Sequence, residues 1–336
     1  MKNLFFDSDV TLDSIKLMKI AVLGYGNQGR AQALNLRDSG LSVVVALREG
    51  SDSTKRANED GFECVNVSRA VIECDIISFL IPDQVMSEVF EASVSRYLKP
   101  GKILLFSHGY NIHYGEITPP HYVDIIMVAP SGPGYAVREE YKKNRGIPTL
   151  IAVKQDVTGR AKETALAYSK AIGGTRACAF ISTFKEETET DLFGEQMILT
   201  GTIPRIIDTS FKVLLEAGYS PEVAWFVSFY EVKQISELIS SVGLEDFYKA
   251  VSDTAEYGGL SRSENLVDDE FKAEMKSALQ SIQSGEFHRE WKEEAKSGYK
   301  HLRKLRKNHQ ESPIHDITRE MFKALKNKSS EEEENK

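Results

Sequence analysis

Near its N-terminus the chain reads Lys19-Ile20-Ala21-Val22-Leu23-Gly24-Tyr25-Gly26-Asn27-Gln28-Gly29. The apolar first half of this stretch predicts a buried strand, and its three glycines form the pattern G-x-G-x-x-G where a helix is expected to begin. In that setting the glycines permit a tight turn, and the helix start offers backbone N–H groups to the pyrophosphate of a dinucleotide. Glycine turns also join strands to helices in folds that bind nothing, so the motif alone is weak. Its context favours a Rossmann-type domain.

Short apolar runs alternate with amphipathic segments on the C-terminal side of this turn. The apolar runs predict further strands over residues 41–47, 75–81, 102–106, 123–128 and 149–153. Helices are predicted between them, for example over residues 28–38 and 84–94. Buried strands that alternate with helices are typical of a parallel sheet covered on both faces. We therefore predict a doubly wound parallel α/β domain over residues 1–182.

The second half of the chain has a different pattern. Runs of β-branched residues become rare after Phe184, and long helical periodicity takes over, including a helix that begins at Ser220-Pro221. Serine suits the position before a helix, and proline suits its first turn. We predict an all-helical second domain over residues 183–328. Residues 329–336 contain four consecutive glutamates and no apolar side chain, so a disordered acidic tail is predicted there.

Composition and charge narrow the classes of partner. The net charge of −8 comes from acidic and basic residues mixed along the 336 residues, so no basic face is expected for nucleic acid. No window reaches the ~18 apolar residues that a membrane span requires, and the N-terminus does not resemble a secretory signal. Cys64, Cys74 and Cys178 are widely spaced without a CxxC pair, which is typical of thiols in a reducing compartment. We expect a cytoplasmic protein that binds a small molecule.

The segment after the second predicted strand indicates which dinucleotide is bound. Where an NAD-dependent enzyme carries an acid for the ribose hydroxyls, this chain has Arg48, followed by Ser51 and Ser53. A guanidinium and two hydroxyls suit a 2′-phosphate, whereas a carboxylate repels one. Arg48 could instead be a solvated loop cation, since Glu49 is adjacent to it. We favour NADPH as the cofactor.

An acidic segment marks a second candidate site. Within residues 184–195, Asp191 and Glu195 are four positions apart, so a helix would place both carboxylates on one face. Two hard oxygen ligands on one face can hold Mg²⁺. Most acidic runs are solvated helix faces, however, and the spacing alone leaves both interpretations open.

Several blocks of this sequence resemble ketol-acid reductoisomerase in its short form, over about residues 12–322. The matching blocks are residues 24–29, 47–51, 108–113, 129–134, 184–196 and 252–258. Their order is that of the family, which argues against chance. The resemblance implies an N-terminal Rossmann domain and a knotted helical C-terminal domain that dimerises, with the partner subunit completing the metal site.

The family couples an Mg²⁺-dependent alkyl shift in a 2-acetohydroxy acid, such as acetolactate, to reduction by NADPH. The product is a 2,3-dihydroxy acid in the biosynthesis of valine and isoleucine. By resemblance, Asp191, Glu195 and Glu231 hold a pair of Mg²⁺ ions. Ser252 contacts the substrate carboxylate, and His108 is the active-site histidine. The implied cofactor-binding positions are Gly24, Tyr25, Gly26, Asn27, Gln28, Gly29, Arg48, Ser51, Ser53, Asp83, Gln84, Val85, Met86 and Gly134.

Three positions depart from the family pattern. Val227 stands where the family has a glutamate four residues before Glu231, so one magnesium ligand is absent. Ser131 and Tyr135 stand where the family has lysine and histidine, so a cation beside the reacting centre is also absent. Water can replace a carboxylate on Mg²⁺, but a second ion would be held by less negative charge.

These departures leave three interpretations open. In the first, which is the leading prediction, the chain is a ketol-acid reductoisomerase in a homodimer or higher oligomer, with activity that the substitutions leave intact or weaken. In the second, the chain is an NADPH-dependent 2-keto acid reductase that has lost the alkyl shift. In the third, it is a non-catalytic partner in a hetero-oligomer, in which an intact paralogue supplies the glutamate absent at Val227.

Overall fold

A computed structural model describes the backbone of residues 3–334 and the side chains of residues 3–326. The chain divides into two compact units, Met1–Thr190 and Asp191–Lys336. The dividing point lies inside the helix Phe184–Gly194.

The N-terminal unit contains a nine-stranded sheet. Its strands are β1 (Leu4–Phe5), β2 (Lys19–Leu23), β3 (Ser42–Ala46), β4 (Cys64–Val65), β5 (Ile76–Phe79), β6 (Ile103–Phe106), β7 (Asp124–Pro130), β8 (Thr149–Gln155) and β9 (Ala179–Ile181). They lie in the order β1-β9-β8-β7-β6-β5-β2-β3-β4. The six strands from β7 to β4 are parallel, and their order is that of a doubly wound dinucleotide-binding fold. The predicted Rossmann-type sheet is confirmed.

The remaining strands make the sheet mixed. β8 is antiparallel to β7, with Val128 opposite Ile151, and β1 is antiparallel to β9. The run over residues 149–153 is therefore a strand as predicted, but it does not extend the parallel arrangement. An apolar run indicates that a strand is buried, and it carries no information about the strand's direction.

Helices cover both faces of the sheet. They are α1 (Asn27–Asp38), α2 (Ser53–Glu59), α3 (Val67–Glu73), α4 (Asp83–Val89), α5 (Tyr110–His113), α6 (Gly134–Lys142), α7 (Ala161–Ala171) and α8 (Phe184–Gly194), the last of which crosses the dividing point. Ile20 and Val22 belong to one hydrophobic core, and Ala21 and Leu23 belong to a second. Successive residues of a strand face opposite sides of a sheet. The unbroken apolar run of β2 thus reflects burial on both faces.

The C-terminal unit consists of helices, and none of its described residues forms a strand. Its helices are α9 (Thr202–Glu216), α10 (Pro221–Trp225), α11 (Glu231–Phe247), α12 (Asp253–Leu266), α13 (Asp269–Gln283), α14 (Glu286–Lys296), α15 (Lys300–Gln310) and α16 (Ile314–Glu334). Single π-helical turns occupy Glu195–Leu199 and Phe226–Tyr230. Pro221 begins α10 after Ser220, as predicted, although the Ser220 side chain makes no capping hydrogen bond.

The core of this helical unit is small. Trp225 is fully buried, stacks on Phe229 at 5.2 Å between ring centroids, and donates a 2.9 Å hydrogen bond to the Thr318 hydroxyl. Within the part of the chain that the structure describes, no helix has the length and apolar character of a membrane span. All three cysteines are free.

The segment predicted as an acidic tail, residues 329–336, is described only in part. The backbone of α16 continues to Glu334, and residues 335–336 and the side chains of residues 327–336 lie outside the described part.

Candidate active site

A cavity of 830 Å³ opens at the carboxyl ends of β2, β3, β5 and β6. In a doubly wound sheet this is where the chain order reverses and ligands bind. Twelve of the residues predicted for cofactor or catalysis line it, namely Gly24, Tyr25, Gly26, Asn27, Gln28, Arg48, Ser51, Ser53, Asp83, Val85, Met86 and His108. The fold therefore brings most of the predicted positions of the N-terminal unit to one cavity.

The glycine turn has the backbone shape that a dinucleotide requires. Gly24 has a φ of +93°, and a β-carbon there would lie 2.6 Å from the Leu80 carbonyl oxygen. A β-carbon at Gly26 would meet nothing within 4 Å, so the space beside it is open to a ligand. No side chain caps the start of α1 at Gly26, which leaves N–H groups to face an anion. The residues present fit a pyrophosphate.

Three predicted cofactor positions do not line the cavity. Gly29 and Gly134 are packing positions, because a β-carbon would clash with the Gly24 carbonyl oxygen at the first and with the Asn27 backbone at the second. Gln84 is exposed on α4. Gly29 and Gly134 therefore act through backbone packing against the glycine turn.

The Arg48 end of the cavity is attached to the glycine turn by side chains on and after α2. Arg56 donates a 2.8 Å hydrogen bond to the Tyr25 carbonyl oxygen. The Tyr25 hydroxyl donates to Asp60 at 2.8 Å, and Arg30 forms a two-point ion pair with the same carboxylate. The Arg30 guanidinium lowers the pKa of Asp60 from its ordinary value. These contacts hold the segment that carries Ser51 and Ser53 against the turn.

At the other end of the cavity, His108 is held by a buried carboxylate. His108 Nδ1 lies 2.9 Å from Glu187 Oε1, while Glu187 Oε2 accepts a 2.7 Å hydrogen bond from the backbone N–H of Gly109. Glu187 is only 3% exposed, and a buried charge needs such partners. The pair fixes the plane of the imidazole ring. Glu187 was not among the predicted site residues, although it precedes Asp191 by one helical turn in the same acidic segment.

A second histidine–carboxylate pair anchors α5 beside the first. His113 Nε2 lies 3.4 Å from Glu189 Oε1, and burial lowers the pKa of His113. Asn111 donates to the backbone and side-chain oxygens of Asp83 at 3.2 and 3.1 Å, which joins α5 to the start of α4. Asp83 is thus positioned at the cavity by a residue of the His108 segment.

The predicted metal and substrate residues lie on or after α8, in the C-terminal unit. Asp191 is one turn beyond Glu187 on α8, and Glu195 begins the first π turn. Glu231 directly follows the second π turn and is exposed. Single π turns within helices occur frequently at functional sites. The Ser252 hydroxyl caps α12 by accepting from the Ala255 N–H at 3.3 Å.

The three departures from the family pattern are all at accessible positions. Val227 lies within the second π turn with 53% of its surface exposed. Ser131 is exposed, and its backbone N–H donates to the Pro148 carbonyl oxygen at 2.8 Å. Tyr135 is 77% exposed on α6. None of the three is a packing residue of a core, so burial does not account for the loss of a charged group at any of them.

Two family models together match most of the chain. The family model for the acetohydroxy acid isomeroreductase NADPH-binding domain matches residues 14–178, and that for the ketol-acid reductoisomerase C-terminal domain matches residues 184–327. The chain belongs to the ketol-acid reductoisomerase family. It therefore carries the NADPH-binding domain of that family, and the predicted resemblance is confirmed.

Similar proteins match over nearly their full lengths. Ketol-acid reductoisomerase (NADP(+)) of Methanocaldococcus jannaschii is 46% identical over 323 residues, which is 96% of this chain and 98% of the relative. The enzyme of the same name from Pyrobaculum calidifontis is 48% identical over 325 residues, 97% and 99% of the two chains. A solved NADH-preferring ketol-acid reductoisomerase from an uncultured archaeon superimposes with a TM-score of 0.93 at 40% identity, covering 95% and 98%.

Proposed function

We propose that this chain catalyses the ketol-acid reductoisomerase reaction, in which a 2-acetohydroxy acid is rearranged and reduced with NADPH to a 2,3-dihydroxy acid. One observation carries the proposal above all. A single cavity joins the glycine turn and Arg48 at one end to His108, the partner of Glu187, at the other, so a bound dinucleotide would bring its reactive end to His108. Family membership supports the same reaction.

Mg²⁺ is part of this proposal. The carboxylates of Asp191, Glu195 and Glu231 are hard oxygen donors of the kind that Mg²⁺ accepts. Val227 offers no oxygen, and a second ion would depend on water for that position. When bound, Mg²⁺ supplies Lewis acidity that polarises the ketone and the hydroxyl of the substrate.

The side chains around the site have separate tasks. Glu187 holds the His108 ring in one orientation through its 2.9 Å contact with Nδ1, so the pair is suited to hold or move a proton. The Ser252 hydroxyl, which accepts one bond as a helix cap, keeps its own proton for the substrate carboxylate.

An assay of purified protein with NADPH, 2-acetolactate and varied Mg²⁺ tests the proposal. We expect NADPH consumption that requires Mg²⁺ and gives a 2,3-dihydroxy acid. A folded sample that binds NADPH and shows no turnover at any Mg²⁺ concentration would exclude the reaction.

The departures favour a second candidate function, a reductase without the alkyl shift. Val227 offers no carboxylate and Ser131 no cation at the reacting centre, whereas most of the predicted cofactor positions line one cavity. The rearranged 3-hydroxy-2-keto acid distinguishes the two functions. Turnover of that substrate with no turnover of 2-acetolactate would favour the reductase.

We also propose that the chain forms a homodimer through its helical unit. Large apolar side chains are strongly exposed there, among them Leu244, Leu266 and Ile206 at 74%, 75% and 58%. The buried core of this unit contains few residues, so its apolar faces need another surface to cover them. Analytical ultracentrifugation tests this, and a monomer at micromolar concentration would contradict it. If the chain instead forms a mixed oligomer with a paralogue, its association should require co-expression of the two proteins.

A further inference from the structure

A chain of hydrogen bonds runs from the cofactor cavity, where the bonds are partly buried, into the buried core of the N-terminal unit. Gln28 Nε2 donates to the Gly132 carbonyl oxygen at 2.8 Å. Gln32 Nε2 donates to Gln28 Oε1 and to Ser107 Oγ, each at 3.1 Å. Tyr168 then contacts Gln32 Oε1 at 3.0 Å. Gln32 and Tyr168 are fully buried, whereas Gln28 and Ser107 line the cavity.

The donor and acceptor of each bond follow from the Gly132 carbonyl oxygen, which can only accept. A backbone carbonyl only accepts, so the Gln28 amide must point its NH₂ group at Gly132 and its oxygen at Gln32. The Gln32 NH₂ group must therefore face both neighbours. It donates one hydrogen bond to Gln28 Oε1 and the other to Ser107 Oγ. The orientation of both amides is fixed without reference to a ligand.

The far end of the chain has a fixed direction as well. Gln32 Oε1 requires a donor, and the Tyr168 hydroxyl supplies it. Burial raises the pKa of Tyr168, so the phenol keeps its proton. The Ser78 hydroxyl, 3.0 Å from the Tyr168 oxygen, is then the donor of that last bond.

The orientation of the Gln32 amide determines the hydrogen bonds of the Ser107 hydroxyl. Its oxygen accepts from Gln32 Nε2 at 3.1 Å, whereas the contact in which Ser107 Oγ donates to Gln32 Oε1 is longer, at 3.5 Å. Because that second contact is at the limit of a hydrogen bond, the hydroxyl proton of Ser107 is available to a ligand in the cavity. Ser107 follows β6 and precedes His108, at the opposite end of the cavity from Arg48. In a dinucleotide fold that end receives the nicotinamide.

We propose that Ser107 donates a hydrogen bond to the carboxamide oxygen of the nicotinamide ring, and that Gln32 and Tyr168 are positioning residues that orient the Ser107 hydroxyl for it. The inference rests on the proposed binding of NADPH. It adds a contact to the nicotinamide half, whereas the glycine turn and Arg48 act on the other half.

Binding of two ligands to Ser107→Ala tests the contact. The ligands are NADPH and 2′-phospho-ADP-ribose, which lacks the nicotinamide ring. We expect NADPH affinity to fall about three- to tenfold, the effect of losing one hydrogen bond, with no change for 2′-phospho-ADP-ribose. Ser107→Thr keeps the hydroxyl and should keep the NADPH affinity. Equal effects on both ligands, or no effect on either, would overturn the inference.

Two variants in the core test the positioning. In Tyr168→Phe, Gln32 Oε1 loses its donor and the Ser107 hydroxyl turns toward it, so we expect the same loss of NADPH affinity as in Ser107→Ala and no further loss when the two are combined. Ser78→Ala is the matched control, because Tyr168 still donates to Gln32 in it. NADPH affinity should then be unchanged, whatever the melting temperature.

A purely structural role for the chain predicts another pattern. Ser78→Ala and Tyr168→Phe would then affect both ligands in proportion to their loss of stability, which would overturn the positioning. If the wild-type protein bound 2′-phospho-ADP-ribose and gained nothing from the nicotinamide ring, the Ser107 contact would be overturned alone. Binding of neither ligand would overturn the proposed function together with it.

Discussion

The two units of this protein differ in how completely each keeps the groups that its family uses. In the N-terminal unit, the glycine turn, Arg48 and the His108–Glu187 pair all line or adjoin one cavity. In the C-terminal unit, Glu195 and Glu231 adjoin π turns, but Val227 brings an exposed apolar side chain to a position where the family has a carboxylate.

The two kinds of site depend on sequence in different ways. The cofactor turn is made from backbone N–H groups and the close packing of Gly24 and Gly134, so its geometry depends on the fold around it. A magnesium site depends on the charge of individual side chains, and a single substitution removes a ligand. The second site can therefore weaken while the first is unchanged.

The largest expected effect comes from breaking the cofactor turn. Gly24→Ala places a β-carbon against the Leu80 carbonyl oxygen at a φ of +93°, so we expect NADPH affinity to fall about 100-fold or more. Gly40→Ala is the matched control, because its φ is +82° and its surroundings are open. It should lower the unfolding free energy by about 1 kcal/mol and leave NADPH affinity unchanged. Fluorescence titration with NADPH measures the affinity of both variants. Equal losses of NADPH affinity in the two variants would contradict the prediction.

A smaller effect is expected at the His108–Glu187 pair. Glu187→Gln keeps the size of the side chain and removes the charge beside His108, so we expect kcat to fall about 10- to 100-fold with little change in NADPH affinity. Glu189→Gln removes the more distant 3.4 Å pair with His113 and should change kcat less. Steady-state kinetics measure kcat, and NADPH titration measures the affinity that should be nearly unchanged. A parallel loss of NADPH affinity would assign Glu187 a structural role.

Restoring the carboxylate tests the helical unit directly. Val227→Glu returns one negative oxygen ligand, and we expect the Mg²⁺ concentration for half-maximal activity on 2-acetolactate to fall about tenfold. Val227→Gln adds a side chain of similar size without the charge and should give a smaller change. No difference between the two variants would mean that charge at this position does not limit metal binding.

The parts of this molecule that could be predicted from sequence are local ones. The strand before Gly24, the turn and the helix after it are encoded by neighbouring residues, and the prediction of that element is confirmed. The direction of β8 is not encoded in its own residues, and it follows from where the chain re-enters the sheet. Glu187 and Ser107 act through partners 78 and 75 positions away, and no pattern in either segment indicates such a contact.

The smallest expected effect concerns the stability of the cofactor segment. The Arg30 ion pair lowers the pKa of Asp60 in the folded chain, so the pair stabilises the fold above the unfolded pKa of about 3.9 and this contribution is lost as pH falls through the folded value. Because the Arg30 side chain is 45% exposed, solvent screens the pair. We expect Asp60→Asn to lower the unfolding free energy by about 1 kcal/mol at pH 7 and by less near pH 3, measured by urea denaturation. Tyr25→Phe removes one neutral donor and keeps the ion pair, so its effect should vary little between these pH values. An Asp60→Asn effect that was the same at both would show that hydrogen bonding, rather than charge, holds this segment to the glycine turn.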